Sequence, residues 1–120
     1  MKQVGKVAAA IIDLLVLAIQ EGEPIFIGDE NDKHIADEHP VDYEDYRGRL
    51  DEIIQSPTYV VPHHRDKTLQ YVKSYGVDLV LVAVRPSKSG RWFVRSLYRM
   101  SDEKIAKFTE HDLFNKYQIK

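Results

Sequence analysis

The segment Arg91-Trp92-Phe93-Val94-Arg95-Ser96-Leu97-Tyr98-Arg99-Met100 carries three arginines, a serine and a tyrosine in ten residues. Guanidinium groups bind anionic oxygens bidentately, and hydroxyls hydrogen-bond a reacting phosphate. A strand kept only for structure rarely needs that set. The chemistry it points to is anion handling on a sheet face, with a phosphodiester as the leading ligand class. His34 is a candidate general acid or base, because imidazole titrates near neutrality. The alternative is a surface histidine on an acidic helix beside Asp37 and Glu38. His39 is either a second proton carrier or a cap for a helix beginning at Pro40. Arg85 and Arg95 either neutralise charge developing on phosphorus or pair with acidic helices. Ser96 and Tyr98 either donate to the phosphate or serve as packing residues, and Lys73 is a weaker phosphate ligand because strand lysines usually mark edges. Tyr71 and Trp92 can stack on bases, although core packing is the better account.

The positioning elements follow from pattern. Arg91–Met100 predicts a strand, since β-branched and aromatic residues dominate it without Gly or Pro. Thr58–Pro62, Lys67–Tyr75 and Asp78–Arg85 are three more strands. Gly76 and the loop Pro86-Ser87-Lys88-Ser89-Gly90 punctuate them as hairpins, so antiparallel neighbours are expected. Ahead of them, Lys6–Gln20 predicts an apolar helix, Pro24–Gly28 an extended segment, Glu30–Glu38 a short helix capped by Asp29, and Val41–Gln55 a helix with Tyr43, Tyr46, Leu50, Ile53 and Ile54 on one face. Ser101 caps a last helix with Asp102 and Glu103 in its first turn, and Leu113–Ile119 suggests a small terminal strand. The fold class is α+β: N-terminal helices packed on a four-stranded antiparallel meander sheet, with a short C-terminal helix.

A register can be sketched. With Gly76-Val77 as a two-residue turn, Lys73 opposes Val80. With Arg85 opposite Arg91, Val80 opposes Ser96. Lys73, Trp92, Val94, Ser96 and Tyr98 then share one face, and Arg85, Arg91, Phe93, Arg95, Leu97 and Arg99 the other. In this register Arg95 and Ser96 point to opposite sides, and a bulge would exchange the assignments.

The 120 residues suit a single domain, residues 1–120, and the 43% hydrophobic content an ordinary core. No cysteine is present, which removes disulfides, thiolate catalysis and cysteine-built zinc sites. The net charge of −2 hides a segregation: residues 20–55 carry −9 and residues 56–100 carry +6. A local basic patch matters more to a polyanion than the total. The alternative is two solvated faces that attract one another. Val7–Ile19 is apolar apart from Asp13, follows Lys2 and Lys6, and is too short to cross a bilayer. It is expected to be a buried helix of a soluble protein. A metal site from His34, Asp37, His39, His63 and His64 matches no ligand spacing, so no metal and no cofactor is expected.

Seven segments occur in an ordered series: Pro24-Ile-Phe-Ile-Gly28, Lys33-His-Ile-Ala-Asp-Glu-His-Pro40, Tyr43-Glu-Asp-Tyr46, Asp51-Glu-Ile-Ile-Gln-Ser-Pro-Thr-Tyr-Val60, Gln70-Tyr-Val-Lys73, Val82-Ala-Val-Arg85 and Arg95-Ser-Leu-Tyr98. From about Gly5 to Phe108 the series resembles a phage and mobile-element family of the Barnase–EndoU–colicin–RelE superfamily of nuclease-like domains. The resemblance implies helices followed by a four-stranded antiparallel sheet. It also implies metal-independent RNA cleavage, with the 2′-hydroxyl as nucleophile and a cyclic phosphate as product. The family's helix histidine falls on His34, its His-Pro pair on His39-Pro40, its third-strand arginine on Arg85, and its Arg-Ser-x-Tyr on Arg95, Ser96 and Tyr98. The chain departs from the family at Val61, where a glycine is expected, and in the added Pro62-His63-His64. The reading is an endoribonuclease-like toxin or effector with RNA as partner, an immunity protein as a further partner and no membrane association. Its place of action is cytoplasmic, including that of a target cell after delivery. The rival is a non-catalytic module that keeps the fold and binds anions, nucleic acid or protein.

Overall fold

The computed structural model describes residues 1–8, 23–63 and 65–119. Its centre is a six-stranded sheet of β1 (Lys2–Lys6), β2 (Pro24–Ile27), β3 (Tyr59–Pro62), β4 (Leu69–Tyr75), β5 (Asp78–Pro86) and β6 (Trp92–Arg99), in the order β1-β2-β6-β5-β4-β3. The expected antiparallel meander is present as β3-β4-β5-β6. It is not the whole sheet. β2 adds parallel to β6 through Ile25 opposite Trp92 and Phe26 opposite Phe93, and β1 adds antiparallel to β2. The sheet is therefore mixed and six-stranded rather than four-stranded and antiparallel. Lys6, expected to open a helix, ends β1, and residues 9–20 of that expected helix lie outside the described residues.

The helices are α1 (Asp29–Glu38), α2 (Pro40–Tyr46), α3 (Leu50–Gln55), α4 (Asp102–Glu110) and α5 (Leu113–Lys116), with a 3₁₀ turn at Arg47–Arg49 between α2 and α3. Gly28, not Asp29, is the N-cap of α1, and Asp29 is its first residue. The single helix expected over Val41–Gln55 is broken at Arg47-Gly48-Arg49. Glycine weakens a helix interior, and Arg47 turns back to α1, where its Nε donates to Asp32 Oδ1 at 2.8 Å and its Nη2 to Asp32 Oδ2 at 3.2 Å. Leu50, Ile53 and Ile54 still bury one common face. The expected strand at Leu113–Ile119 is instead α5 followed by one bridge of Gln118 to Tyr59.

Both hairpin turns follow backbone chemistry. Gly76, with φ +62, takes the first position of a two-residue turn closed by Tyr75 opposite Asp78, as in a type II′ hairpin. Lys73 therefore opposes Val80 as expected. At the other end the loop is shorter than expected. Ser87 N–H donates to Arg91 O at 2.7 Å, and Gly90, with φ +86, closes a tight turn. Arg85 consequently opposes Phe93, not Arg91.

The decisive irregularity lies in β6. Val94 opposes Val84, yet Ser96 opposes Ala83, so Arg95 is an extra residue in the ladder. Such a bulge shifts the alternation by one. Trp92 and Val94 face one side as expected. Beyond the bulge Leu97 and Arg99 face that same side, and Ser96 and Tyr98 face the other, which reverses the expected assignment of those four residues.

The inner face carries Val60, Leu69, Tyr71, Val80, Val82, Val84, Trp92, Val94 and Leu97 and buries them against Ile35, Leu50, Ile53 and Ile54 of α1 and α3. The outer face carries Val61, Val72 and Leu81, which α4 and α5 cover with Phe108, Ile105, Leu113 and Phe114. Removing these side chains from water at roughly 25 cal/mol per Å² is the main stabilisation of both layers.

Candidate functional site

The outer face of β5 and β6 is where four of the sequence-predicted residues, Arg85, Arg95, Ser96 and Tyr98, meet. Opposed residues share a face, so Gln70, Ala83 and Ser96 form one row across β4, β5 and β6. Val72, Leu81 and Tyr98 form the next, and Arg85 with Phe93 a third. Alternation from Phe93 places Arg95 on this face as well. A bulge puts two consecutive side chains on one side, and here they are Arg95 and Ser96. The conflict in the regular register therefore disappears: the arginine and the serine belong to one surface.

The charge state of this surface is set by what does not bind it. Arg85 and Arg95 are exposed, and neither makes a hydrogen bond or ion pair with a described residue. Arg85 acts at longer range on Asp66, whose carboxyl sits below the ordinary range mainly because Thr68 hydrogen-bonds it. The hydroxyls of Ser96 and Tyr98 also have no partner among the described residues.

The two histidines stand differently. His39 joins α1 to α2. Its N–H donates to Ile35 O at 2.8 Å, and its carbonyl accepts from Tyr43 N–H at 2.8 Å. It therefore holds the cap position of α2 through its backbone, with no side-chain capping bond. Its ring packs instead on Tyr98, with centroids 5.2 Å apart. His34 lies on the exposed side of α1 with Nε2 3.2 Å from Glu38 Oε2. Lys73 lies on the inner face, where its Nζ donates to the carbonyl of Ser56, on the opposite side of the sheet from Ser96 and Tyr98. Tyr71 and Trp92 are core residues, 0% and 4% exposed.

The acidic helices do meet arginines, but not the predicted ones. Arg99, on the inner face, donates from Nη1 to Asp42 at 2.6 Å, from Nη2 to Asp45, and from Nε to Asp78 at 3.1 Å. Its guanidinium also stands 4.7 Å from the ring centroid of Tyr46. Arg47 holds Asp32. These pairs occupy Asp32 of α1 and Asp42 and Asp45 of α2, and among the described residues none of them reaches Arg85 or Arg95.

Lys104 and Gln70 escaped the sequence reading, and His63 was weighed there only as a metal ligand. Lys104 of α4 stands 5.6 Å over the Tyr98 ring. Gln70 is a buried polar residue, 7% exposed, on the floor of the outer face. His63 follows β3 and lines the same groove as Gln70. Lys104, Lys107 and His111 are spaced three and four apart, which places them on one helix face, and that spacing was the available signal. Among the described residues no group of three His, Cys, Asp or Glu side chains is placed to hold a metal, and no helix is long and apolar enough to cross a membrane.

Neither a curated protein nor a solved structure matches the chain. A family model does, over residues 2–107, nearly the full length and including every strand of the sheet, and the chain therefore belongs to the phage-Barnase-EndoU-ColicinE5/D-RelE like nuclease 3 family.

Proposed function

We propose that the protein is a metal-independent endoribonuclease-like effector of phage or mobile-element origin, and that it cuts RNA on the outer face of β5 and β6. The observation that carries this reading is the bulge at Arg95. It sets Arg85 and Arg95, whose guanidinium groups have no ion-pair partner among the described residues, on the same face as the hydroxyls of Ser96 and Tyr98. A scissile phosphate there meets cations for the charge that develops on its oxygens and hydroxyl donors that orient it. In the proposed step the substrate 2′-oxygen bonds to phosphorus, the bond to the 5′-oxygen breaks, and a 2′,3′-cyclic phosphate remains. The 2′-hydroxyl proton passes to an imidazole, and the leaving oxygen takes one from solvent. His39, in contact with Tyr98, is the better placed carrier; His34, paired with Glu38, is the other. Lys73 has no part in this reading, because it lies on the other face.

The second reading, a non-catalytic module that binds an anion, nucleic acid or protein, draws support from His34. Its pairing with Glu38 leaves it in contact with neither an arginine nor a hydroxyl of the site among the described residues.

The test is cleavage of total RNA and tRNA in EDTA by wild type, Arg95→Ala, His39→Ala and His34→Ala. EDTA-resistant cleavage with cyclic-phosphate ends, abolished by Arg95→Ala and by one histidine substitution, supports the nuclease reading and names the carrier. Absence of cleavage in the wild type leaves the binding module.

A further inference from the structure

We infer that the groove between α4 and the β3–β4 end of the outer face is a second subsite of the proposed RNA site, and that it takes the backbone phosphates of a single-stranded polynucleotide beyond the cut position. The inference rests on the reading of the outer face as an RNA-handling surface and adds a subsite to it. The groove encloses about 720 Å³, and its lining includes His63, Gln70, Lys104, Lys107, Phe108 and His111.

Its position makes it continuous with the first site. Gln70 lies in the same row as Ala83 and Ser96, two strands away, which is about 10 Å at the usual strand spacing. His63 N–H donates to Thr68 O at 2.9 Å. Thr68 precedes Leu69, which opposes Val84, so the row that His63 begins leads to Arg85. Lys104 belongs to both regions, because it lines the groove and stands over the Tyr98 ring. A few nucleotides of one strand can bridge the two.

Its donors suit phosphate. The Arg65 backbone N–H donates to His63 Nδ1 at 3.1 Å, so the neutral ring carries its proton on Nε2. In the protonated ring Nε2 keeps that proton, and Asp66 Oδ1, 3.6 Å from Nδ1, is the counter-ion. Nε2 is therefore a donor in either state. Among the described residues the Lys107 ammonium pairs only with Glu103, at 3.7 Å, with side chains 70% and 82% exposed. So exposed a pair contributes little and yields readily to a phosphate. Tyr98, half-buried between the two regions, adds aromatic surface, which suits a single strand with unstacked bases better than a duplex.

The experiment measures anisotropy of labelled 2′-O-methyl oligoribonucleotides, which the 2′-hydroxyl route cannot cut, at lengths of about three and about nine nucleotides. In the wild type the longer strand should bind about tenfold more tightly, and the gain should fall as salt rises. In His63→Ala/Lys107→Ala the gain should shrink to about twofold, with a smaller salt slope. Lys88→Ala, in the exposed β5–β6 loop, should keep the wild-type gain. No gain in the wild type, or an equal gain in the double variant, overturns the subsite. Cleavage is scored separately: a protein that shows the groove-dependent gain but cuts no RNA refutes the nuclease reading and leaves the subsite standing.

Discussion

Arg99 Nη1 donates to Asp42 Oδ1 at 2.6 Å, and the Arg99 backbone N–H donates to Asp42 Oδ2 at 3.2 Å. Only the first residues of β6, Trp92 and Phe93, pair with β2. Beyond them the edge of β6 has no neighbouring strand among the described residues, and α1 and α2 pack along it. The Asp42 carboxylate takes up the open backbone donor at Arg99, and the side-chain bond fastens α2 in that place. His39, three residues before Asp42, is thereby held against Tyr98. An inner-face ion network thus positions a group of the outer-face site.

Arg99→Ala removes the cation shared by Asp42, Asp45 and Asp78 and leaves three carboxylates close together. Side-chain bonds to charged groups that remain partly exposed put the loss at about 1–2 kcal/mol, read as a lower denaturation midpoint. Because the His39–Tyr98 contact depends on α2, this variant should also lose RNA cleavage in excess of its lost stability. Arg99→Lys should recover less than half of the stability, since an ammonium cannot address three carboxylates with a planar fork.

This network and the separate Arg47–Asp32 pair make stability depend on pH. The Arg47 hydrogen bond holds the Asp32 carboxyl below its ordinary value, and hydrogen bonds from Tyr46 and then Arg99 do so for Asp78. Groups lowered in the folded state contribute stability above their unfolded pKa, near 3.8 here, and lose it as pH falls through the folded value. The hydroxyls of Tyr46 and Tyr43 are raised above 10.0, chiefly by hydrogen bonds to Asp78 and Asp32. Their contribution is complete below 10.0 and is lost as pH rises through the raised values. Thermal midpoints against pH should fall off on both flanks, and Asp32→Asn should flatten the acid one. An acid flank unchanged in that variant would refute the assignment to Asp32.

The sequence was legible where turn chemistry dominates. Gly76-Val77 fixes β4 on β5, and the pairing of Lys73 with Val80 follows. It was less legible where pairing is long-range. β1 buries only Val4 among Lys2, Gln3, Gly5 and Lys6, so no alternation announces a strand, and nothing local tells β2 to run parallel to β6. The candidate site was half legible. Residue types singled out Arg85, Arg95, Ser96 and Tyr98, but a regular alternation set Arg95 apart from Ser96 and joined Lys73 to the wrong partners. The bulge leaves a trace that could have been read: the inward apolar residues run Trp92, Val94, Leu97, a spacing of two and then three. Which arginine the acidic helices take, Arg99 rather than Arg95, depends on that one-residue shift.

Gly5 is required by a close approach. It lies where the β1–β2 register shifts, and a Cβ there would sit well inside van der Waals contact of Ile54 Cγ2. Ile54 is 2% exposed and β-branched, so it has little freedom to move aside. Gly5→Ala should destabilise by about 1–3 kcal/mol, as overpacking does. Ile54→Ala removes Cγ2 and relieves most of the crowding, leaving only Ile54 Cβ near that position. Denaturant midpoints of the two single variants and the double should show positive coupling. Strict additivity would refute the contact.

Arg85 and Arg95 separate function from stability. Both are exposed and make no ion pair with a described residue, so Arg85→Ala and Arg95→Ala should each change stability by less than about 0.5 kcal/mol. Each should reduce the salt dependence of single-stranded RNA binding, with the slope of log K against log salt falling by about 0.7 per cation removed. Arg95→Ala should cost more cleavage than Arg85→Ala, because the bulge sets Arg95 beside Ser96 whereas Arg85 lies in the neighbouring row. Arg95→Lys keeps the charge but loses the bidentate fork, so it should retain the binding slope while losing rate. A salt slope unchanged in both alanine variants, with stability intact, would place the polyanion elsewhere on the molecule.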